Sequence, residues 1–388
     1  MATRISRRAI GLAALGGTAA LAQEKKPVNL YKGALDGFED KVTLPDFDPV
    51  DWTRRRHANA PLKLTFRATN RKDAEQWQKK LRAKVVELVG GFPDRSGAPK
   101  AQLLEKREFP NYVREKFIFE SRPGSDVLAY ALLPKTAGPH PAMVCVPGHG
   151  RGVDDLVGID DKGRDRTDKD GYQHDYAIQA LEHGMAAIAI EPMGFGCRRD
   201  PIAKKRGLGT SSCQPAAGAA LLFGETMIGW RVFDVMRIID WIGSRSDLES
   251  TRVGCMGISG GGTCTLFSAA LDPRIQVAFV SGYLNTFRDS ILSLSHCMDN
   301  YVPGILNWAE QYDVAGLIAP RALFAESGEK DNIFPIAAAR ESFAKVKHVY
   351  EVFGAAEKAG HEVHPNEHVF WGKRGLPFAA AQLGVKNV

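Results

Sequence analysis

Five nearly continuous apolar runs, at residues 142–146, 186–190, 252–257, 277–280 and 322–326, are separated by loops and helix-like stretches. A strand that lacks polar alternation expects cover on both faces, and a strand–helix rhythm supplies helices to provide it. The chain is therefore expected to build a mostly parallel central sheet flanked by helices. The longest helical pattern, at 228–242, carries Trp230, Phe233, Val235, Met236, Ile238, Ile239 and Trp241, which read as core packing. Before the first apolar run, residues 112–120 alternate like a strand, Arg122-Pro123-Gly124-Ser125 reads as a turn, and residues 127–133 read as the returning strand.

A length of 388 residues with 44% apolar content suffices for one large domain plus an extension. Residues 23–100 read as that extension, polar apart from a helical pattern at 73–89 that aligns Trp77, Leu81, Val85 and Leu88. Residues 101–388 read as the main domain, without internal repeats. Residues 1–22 resemble an export leader: Arg4, Arg7 and Arg8 precede an apolar stretch ending in Ala20-Leu21-Ala22, and Ser6-Arg7-Arg8 fits a twin-arginine pattern. A periplasmic or extracellular destination is expected. No later segment is long and apolar enough to span a bilayer, so no membrane association is expected after leader removal.

The formal charge of +6 includes the three leader arginines; 51 basic residues less those three leaves 48 against 45 acidic ones. Such a balance argues against a nucleic-acid partner. Arg54-Arg55-Arg56 and the mixed run at 160–170 read as solvated surface. The six cysteines show no metal-ligand spacing; Cys145 and Cys255 lie in strand-like runs, while Cys197 and Cys213 flank one loop and are the pair placed for a bridge in an oxidising compartment.

The sharpest local pattern is Val253-Gly254-Cys255-Met256-Gly257-Ile258-Ser259-Gly260-Gly261-Gly262, followed by a helix-like stretch at 263–271. Small residues around Ser259 permit the strained strand-to-helix turn of a nucleophile elbow, which lifts a serine hydroxyl above a sheet. A hydroxyl needs a base, and the base needs an acid to hold its tautomer. In such a fold both follow the serine, on loops after later strands. Asp331, in the loop after residues 322–326, is the expected acid, with Glu329 its nearest competitor. Three histidines compete for the base; His368 falls in the loop beyond the strand-like 361–364, and His361 is second. Helical spacing would gather His361, His364 and His368 around a metal, but Pro365 interrupts a helix and alternation splits His361 from His364. No metal and no cofactor are expected. Oxyanion donors are expected from Gly260, which follows the serine, and from His149 or Gly150 in the glycine-rich Pro147-Gly148-His149-Gly150-Arg151-Gly152. That loop lacks the lysine and Ser/Thr of a phosphate-binding loop.

Together these motifs resemble bacterial α/β-hydrolases of the dienelactone hydrolase and acetyl xylan esterase-like kind. The likeness extends over residues 77–90, Pro147 to Gly150, Glu191-Pro192-Met193-Gly194-Phe195-Gly196, Gly257 to Gly262, His296 to Gly304, and Leu317 through Pro335. The resemblance implies an α/β-hydrolase fold with Ser259 as nucleophile, Asp331 as acid and His368 as base. It further implies cofactor-free hydrolysis of a small-molecule or oligosaccharide ester, with deacetylation of plant polysaccharide as an instance. A dienelactone hydrolase proper uses a cysteine where this chain has Ser259, which favours esterase chemistry. Glu191, His296, Tyr301 and Trp308 are expected to line a substrate pocket. The competing readings are a serine peptidase of the oligopeptidase-related group, disfavoured because residues 23–100 are too few for a propeller domain, and a catalytically silent binding protein.

Overall fold

All five apolar runs become strands of a nine-stranded sheet in the computed structural model, which describes residues 33–385. The leader read at residues 1–22 lies outside the described residues. In chain order the strands are β1 (Ala101–Glu108), β2 (Tyr112–Arg122), β3 (Ser125–Pro134), β4 (His140–Val146), β5 (Ala186–Ile190), β6 (Leu248–Ile258), β7 (Ile275–Ser281), β8 (Ala322–Gly328) and β9 (Ala359–His364). Across the sheet they run β1-β2-β3-β5-β4-β6-β7-β8-β9. The pairings from β1 to β5 are antiparallel, and all those from β5 to β9 are parallel.

Among the described residues ten α-helices accompany the sheet: α1 (Pro49–Ala58), α2 (Arg71–Leu88), α3 (Tyr176–Glu182), α4 (Pro201–Lys205), α5 (Cys213–Leu222), α6 (Met227–Ile242), α7 (Gly260–Leu271), α8 (Gln311–Gly316), α9 (Ile336–Val352) and α10 (Gly375–Gln382). Successive strand residues enter opposite cores, as the period of two demands. Val144, Ile188, Cys255 and Ala278 join the core under α2, α6, α7, α8 and α9, whereas Cys145, Ala187, Met256 and Val277 join the one under α3 and α10. Every residue of β4 and β5 is buried, which is why neither shows polar alternation.

The helix expected at 73–89 is α2, capped by Asn70, whose side-chain oxygen accepts from the Asp73 amide at 3.0 Å. Its buried stripe of Ala74, Trp77, Leu81 and Val85 belongs to the same core as α7 and α8. Burying each large apolar side chain is worth about 1.5–3 kcal/mol, so this stripe fastens the extension. Polar contacts add direction: Gln78 Nε2 donates to the Gly316 and Ala319 carbonyls at 3.1 and 2.7 Å, and Arg82 to those of Ala270 and Leu317 at 3.0 and 2.9 Å.

Two elements had no sequence signature. The edge strand β1 is exposed at all its residues, and α1 buries none, so neither shows a period. The charged run Glu105-Lys106-Arg107-Glu108 suits a sheet edge that must not pair with another chain. Among the described residues no helix is long and apolar enough to cross a membrane.

Candidate active site

The loops that leave the C-terminal ends of β4, β6, β8 and β9 converge at one edge of the parallel sheet, where open α/β sheets place their sites. Ser259 stands between β6 and α7 at φ 58°, ψ −123°, a conformation that L-residues rarely adopt. Its amide donates to the Ser281 carbonyl at 3.1 Å, and its carbonyl accepts from the Thr263 amide at 2.8 Å, so both neighbouring elements hold the turn. The glycines have a packing reason. A β-carbon on Gly257 would lie 2.5 Å from the Val146 oxygen, and one on Gly261 would overlap that oxygen. Without them α7 could not start this close to β4, and Ser259 would not be half-exposed at the sheet edge.

Asp331 follows β8. Its Oδ1 accepts the Ile333 and Phe334 amides at 2.8 and 3.0 Å, and its Oδ2 faces His368 Nδ1 at 2.7 Å. The carboxylate is 1% exposed and the imidazole 14%, so this pair is shielded from water. The His368 ring lies between the rings of Tyr172 and Phe334, at 5.9 and 5.6 Å. Its Nε2 is buried without a hydrogen-bond partner. A β-carbon on Gly282, next to the Ser281 that pairs with the end of β6, would lie 2.9 Å from His368 Cε1. The imidazole therefore sits over the strand ends beside the elbow. Glu326 supports this arrangement from below: its carboxylate accepts from Ser281 Oγ and from the Trp371 and Gly372 amides, just beyond His368. Burial pushes its carboxyl up to about 7.

The competing residues lie elsewhere. Glu329 points to solvent, while its amide donates to the His364 carbonyl at 2.8 Å. His361 Nε2 is 3.0 Å from Ser327 Oγ and its ring packs on Phe343; burial lowers it to about 4. His364 stacks on Trp371.

In the loop after β4, the Gly148 amide is taken by Gln173 Oε1 and the Arg151 amide by Asp155 Oδ2, each at 2.8 Å. Tyr172 donates its hydroxyl to the His149 carbonyl at 2.6 Å. The His149 and Gly150 amides lie between these anchors, and a β-carbon on Gly148 would lie 3.2 Å from Ser259 Cβ. The loop thus presses on the elbow. Gly260, the first residue of α7, adds an amide from a helix end that has no intrahelical acceptor.

The His149 side chain reaches another group. Its Nε2 is 3.5 Å from Cys213 Sγ and 3.6 Å from Asp299 Oδ2, and Cys213 Sγ is 3.4 Å from the same oxygen. Cys297 completes the group. Arg231 closes it from α6, with Nη1 2.5 Å from Asp299 Oδ2 and Nη2 3.5 Å from Cys213 Sγ. Burial opposes ionisation of Cys213, but the Cys297 hydrogen bond and the charges of His149 and Arg231 hold its thiol below the usual range. Cys297 is pushed up by that bond and by burial. Burial also works against Asp299, yet His149 and Arg231 keep its carboxylate well below the usual range.

These positions correct several expectations. All six cysteines are free, and Cys213 faces Cys297 and Asp299, while Cys197 is exposed; the Cys197–Cys213 bridge is not made. The lack of metal-ligand spacing along the chain hid a compact group of ligand-type side chains contributed by three separate segments. Glu191 does not line a pocket: its carboxylate is buried and meets the backbone of Val153, and burial pushes it up to about 8. Trp308 packs beneath Lys63 and Lys84, whose Nζ atoms lie 5.0 and 4.4 Å from its ring, and its carbonyl accepts the Leu64 amide. It is a docking surface for the extension. Tyr301 lines a cleft of about 700 Å³ between α1 and the 287–307 segment, and none of Ser259, Asp331 and His368 lines that cleft. His296 does stay near the pair, with its ring against Phe334 at 5.3 Å and its Nδ1 3.1 Å from Asn300 Nδ2. Asp299, Arg231, Gln173 and Glu326 were missed, because a buried charge or amide is recognised by its partners and not by its neighbours in sequence.

Comparison with known proteins places the fold in a family. The abhydrolase family profile matches residues 58–359. A candidate hydrolase of Bacillus subtilis, YtaP, is 27% identical over 287 residues, covering 71% of this chain and 89% of its own. Among solved structures, a candidate acetyl xylan esterase from Bacteroides fragilis has a TM-score of 0.70 at 18% identity, with 84% of each chain covered. A glucuronoyl esterase from Solibacter usitatus has a TM-score of 0.61 at 16% identity, covering 83% of this chain and 97% of that one. At such identities the two structures speak for the fold.

Proposed function

The chain belongs to the abhydrolase family, and on that premise we propose that it is a serine carboxylic-ester hydrolase that deacylates, and foremost deacetylates, a carbohydrate ester. One observation carries the reading: Asp331 Oδ2 lies 2.7 Å from His368 Nδ1, while the other nitrogen of that ring is buried without a partner beside a serine held in a strained turn. In the proposed mechanism Ser259 Oγ attacks the ester carbonyl and His368 Nε2 takes its proton. The developing oxyanion is met by the amides of Gly260 and of His149 or Gly150. His368 returns the proton to the leaving alkoxide, and the second half repeats the cycle with water. Asp331 keeps the Nδ1 proton in place throughout and offsets the charge of the imidazolium.

The names carried by the Bacteroides fragilis and Solibacter usitatus proteins support a sugar ester as substrate, and His296, which packs on the Phe334 ring that flanks His368, is the subsite residue of this reading. The twin-arginine-like leader supports export to a compartment where such polymers are met. Ser259→Ala tests the mechanism: turnover of a short-chain aryl acetate and covalent labelling by a fluorophosphonate should both vanish while circular dichroism is unchanged. Retained turnover in the folded variant refutes it. Release of acetate from acetylated xylo-oligosaccharides, measured beside cleavage of a glucuronoyl ester, tests the substrate; the proposal fails if only the latter is cleaved.

A further inference from the structure

We propose that His149, Cys213, Cys297 and Asp299 form a tetrahedral binding site for a thiophilic divalent cation, zinc above all, which ties the loop after β4 to α5 and the 297–299 segment beside the elbow. One ligand-type atom from each lies within 4.8 Å of all the others. Zinc bonds of about 2.3 Å to sulfur and about 2.1 Å to nitrogen or oxygen, at tetrahedral angles, put ligands about 3.6 Å apart for sulfur with nitrogen or oxygen and about 3.4 Å for nitrogen with oxygen. The observed separations are 3.5 Å for Cys213 Sγ to His149 Nε2, 3.4 Å for Cys213 Sγ to Asp299 Oδ2, and 3.6 Å for His149 Nε2 to Asp299 Oδ2. Three of the four side chains are thus already spaced for a metal at their centre, and Cys297 Sγ lies within 4.8 Å of each of them.

The chemistry of the donor set selects the ion. Two thiols with an imidazole suit zinc, whereas magnesium and calcium prefer oxygen. Charge points the same way: two thiolates and one carboxylate are matched by a dication together with the buried Arg231. The surroundings resemble the outer support that metal ligands need. Arg231 donates to Asp299 Oδ2, Asn300 Nδ2 donates to Asp299 Oδ1 at 2.9 Å, and Thr263 in α7 donates to Asn300 Oδ1 at 2.7 Å. Access remains, because the His149 side chain is 25% exposed and Cys297 is half-buried.

The position gives the ion its role. A β-carbon on Gly260 would lie 3.2 Å from the His149 ring and 3.3 Å from Asp299 Oδ2. A cation there would clamp His149, the start of α5 and the 297–299 segment around the residue that follows Ser259. It would fix the backbone amides of the loop without entering the reaction path.

The test uses the full chain, purified with thiols reduced and then dialysed. Elemental analysis should find about one zinc per chain. Exchange with cobalt(II) should give strong visible d–d absorption and a near-ultraviolet thiolate-to-cobalt band, the pattern of tetrahedral thiolate ligation. Cys297→Ser should lower that charge-transfer band by about half, because one of two thiolates is lost. Ser259→Ala should retain the zinc, which separates this inference from the esterase reading. Zinc that dialyses away together with a weak, octahedral cobalt spectrum overturns it. So does a Cys213–Cys297 disulfide in the native protein whose reduction restores no metal binding. The cobalt spectrum of the unaltered chain decides the matter even if a cysteine variant fails to fold.

Discussion

Asp331→Asn is the substitution whose outcome follows most directly from the geometry. Asp331 Oδ1 accepts two backbone amides, from Ile333 and Phe334, while Oδ2 accepts from His368 Nδ1. An asparagine amide has one oxygen and one nitrogen to share between these duties. Turning its nitrogen toward the loop would leave two buried amides unsatisfied, at about 1–3 kcal/mol each. The oxygen therefore stays on the loop and the nitrogen faces the imidazole. A donor opposite Nδ1 forces that atom to accept, so the ring proton moves to Nε2, the nitrogen that must take the proton of Ser259. The base is then blocked by its tautomer, with the backbone barely disturbed. The same substitution in a serine protease costs about 10,000-fold in kcat, or roughly 5.5 kcal/mol of barrier, and a loss of that order is expected here. Hydrolysis of an aryl acetate should be followed with the rate of fluorophosphonate labelling and with the urea midpoint, which should move little. A folded variant that keeps more than about a tenth of wild-type kcat would refute the reasoning.

Further outcomes follow from other contacts. His361→Gln should keep kcat/KM within about threefold, since its ring serves Ser327 and Phe343, while His368→Gln should lose about 100-fold or more; equal losses would restore His361 as a base. Gly261→Ala should destabilise the protein by about 3 kcal/mol or more in urea unfolding, because the new methyl overlaps the Val146 oxygen with backbone carbons at 2.8 and 2.9 Å behind it. An unchanged midpoint would contradict the close approach of α7 to β4. Glu191 has a folded-state value near 8 against an ordinary 4.5, so the native state holds the extra proton between these values. Stability from this group therefore falls as pH rises across that window, by up to about 1.4 kcal/mol per pH unit. Glu191→Gln should gain on the wild type in unfolding midpoint between about pH 5 and about pH 8; a difference that does not vary with pH would mean that Glu191 is ionised in the fold.

The alternation of apolar runs with helical patterns was enough to read β4 to β8, because the apolar runs of those strands are buried and their composition says so. The turn at Ser259 was legible for a similar local reason, since a strained strand-to-helix turn demands small residues beside it, and Gly257 and Gly261 stand within two positions of the serine. Asp331 and His368 were chosen by chain position and by the family resemblance, with Glu329 and His361 in contention; the distance between Asp331 and His368 is a relation between β8 and β9 loops that adjacency in sequence does not carry. The edge strand β1 escaped because a strand with no buried face has no period. Glu191 and Trp308 were misassigned for the opposite reason: a carboxylate can support loops from beneath and a tryptophan can dock an extension, and residue type does not distinguish those places from a pocket wall. The grouping of His149, Cys213, Cys297 and Asp299 lay furthest from view. Local patterning could determine strands, helices and the elbow because those depend on neighbours within a few residues, whereas the ligand set, the imidazole's partner and the buried charges depend on which loops the sheet brings together, and only the tertiary structure decides that.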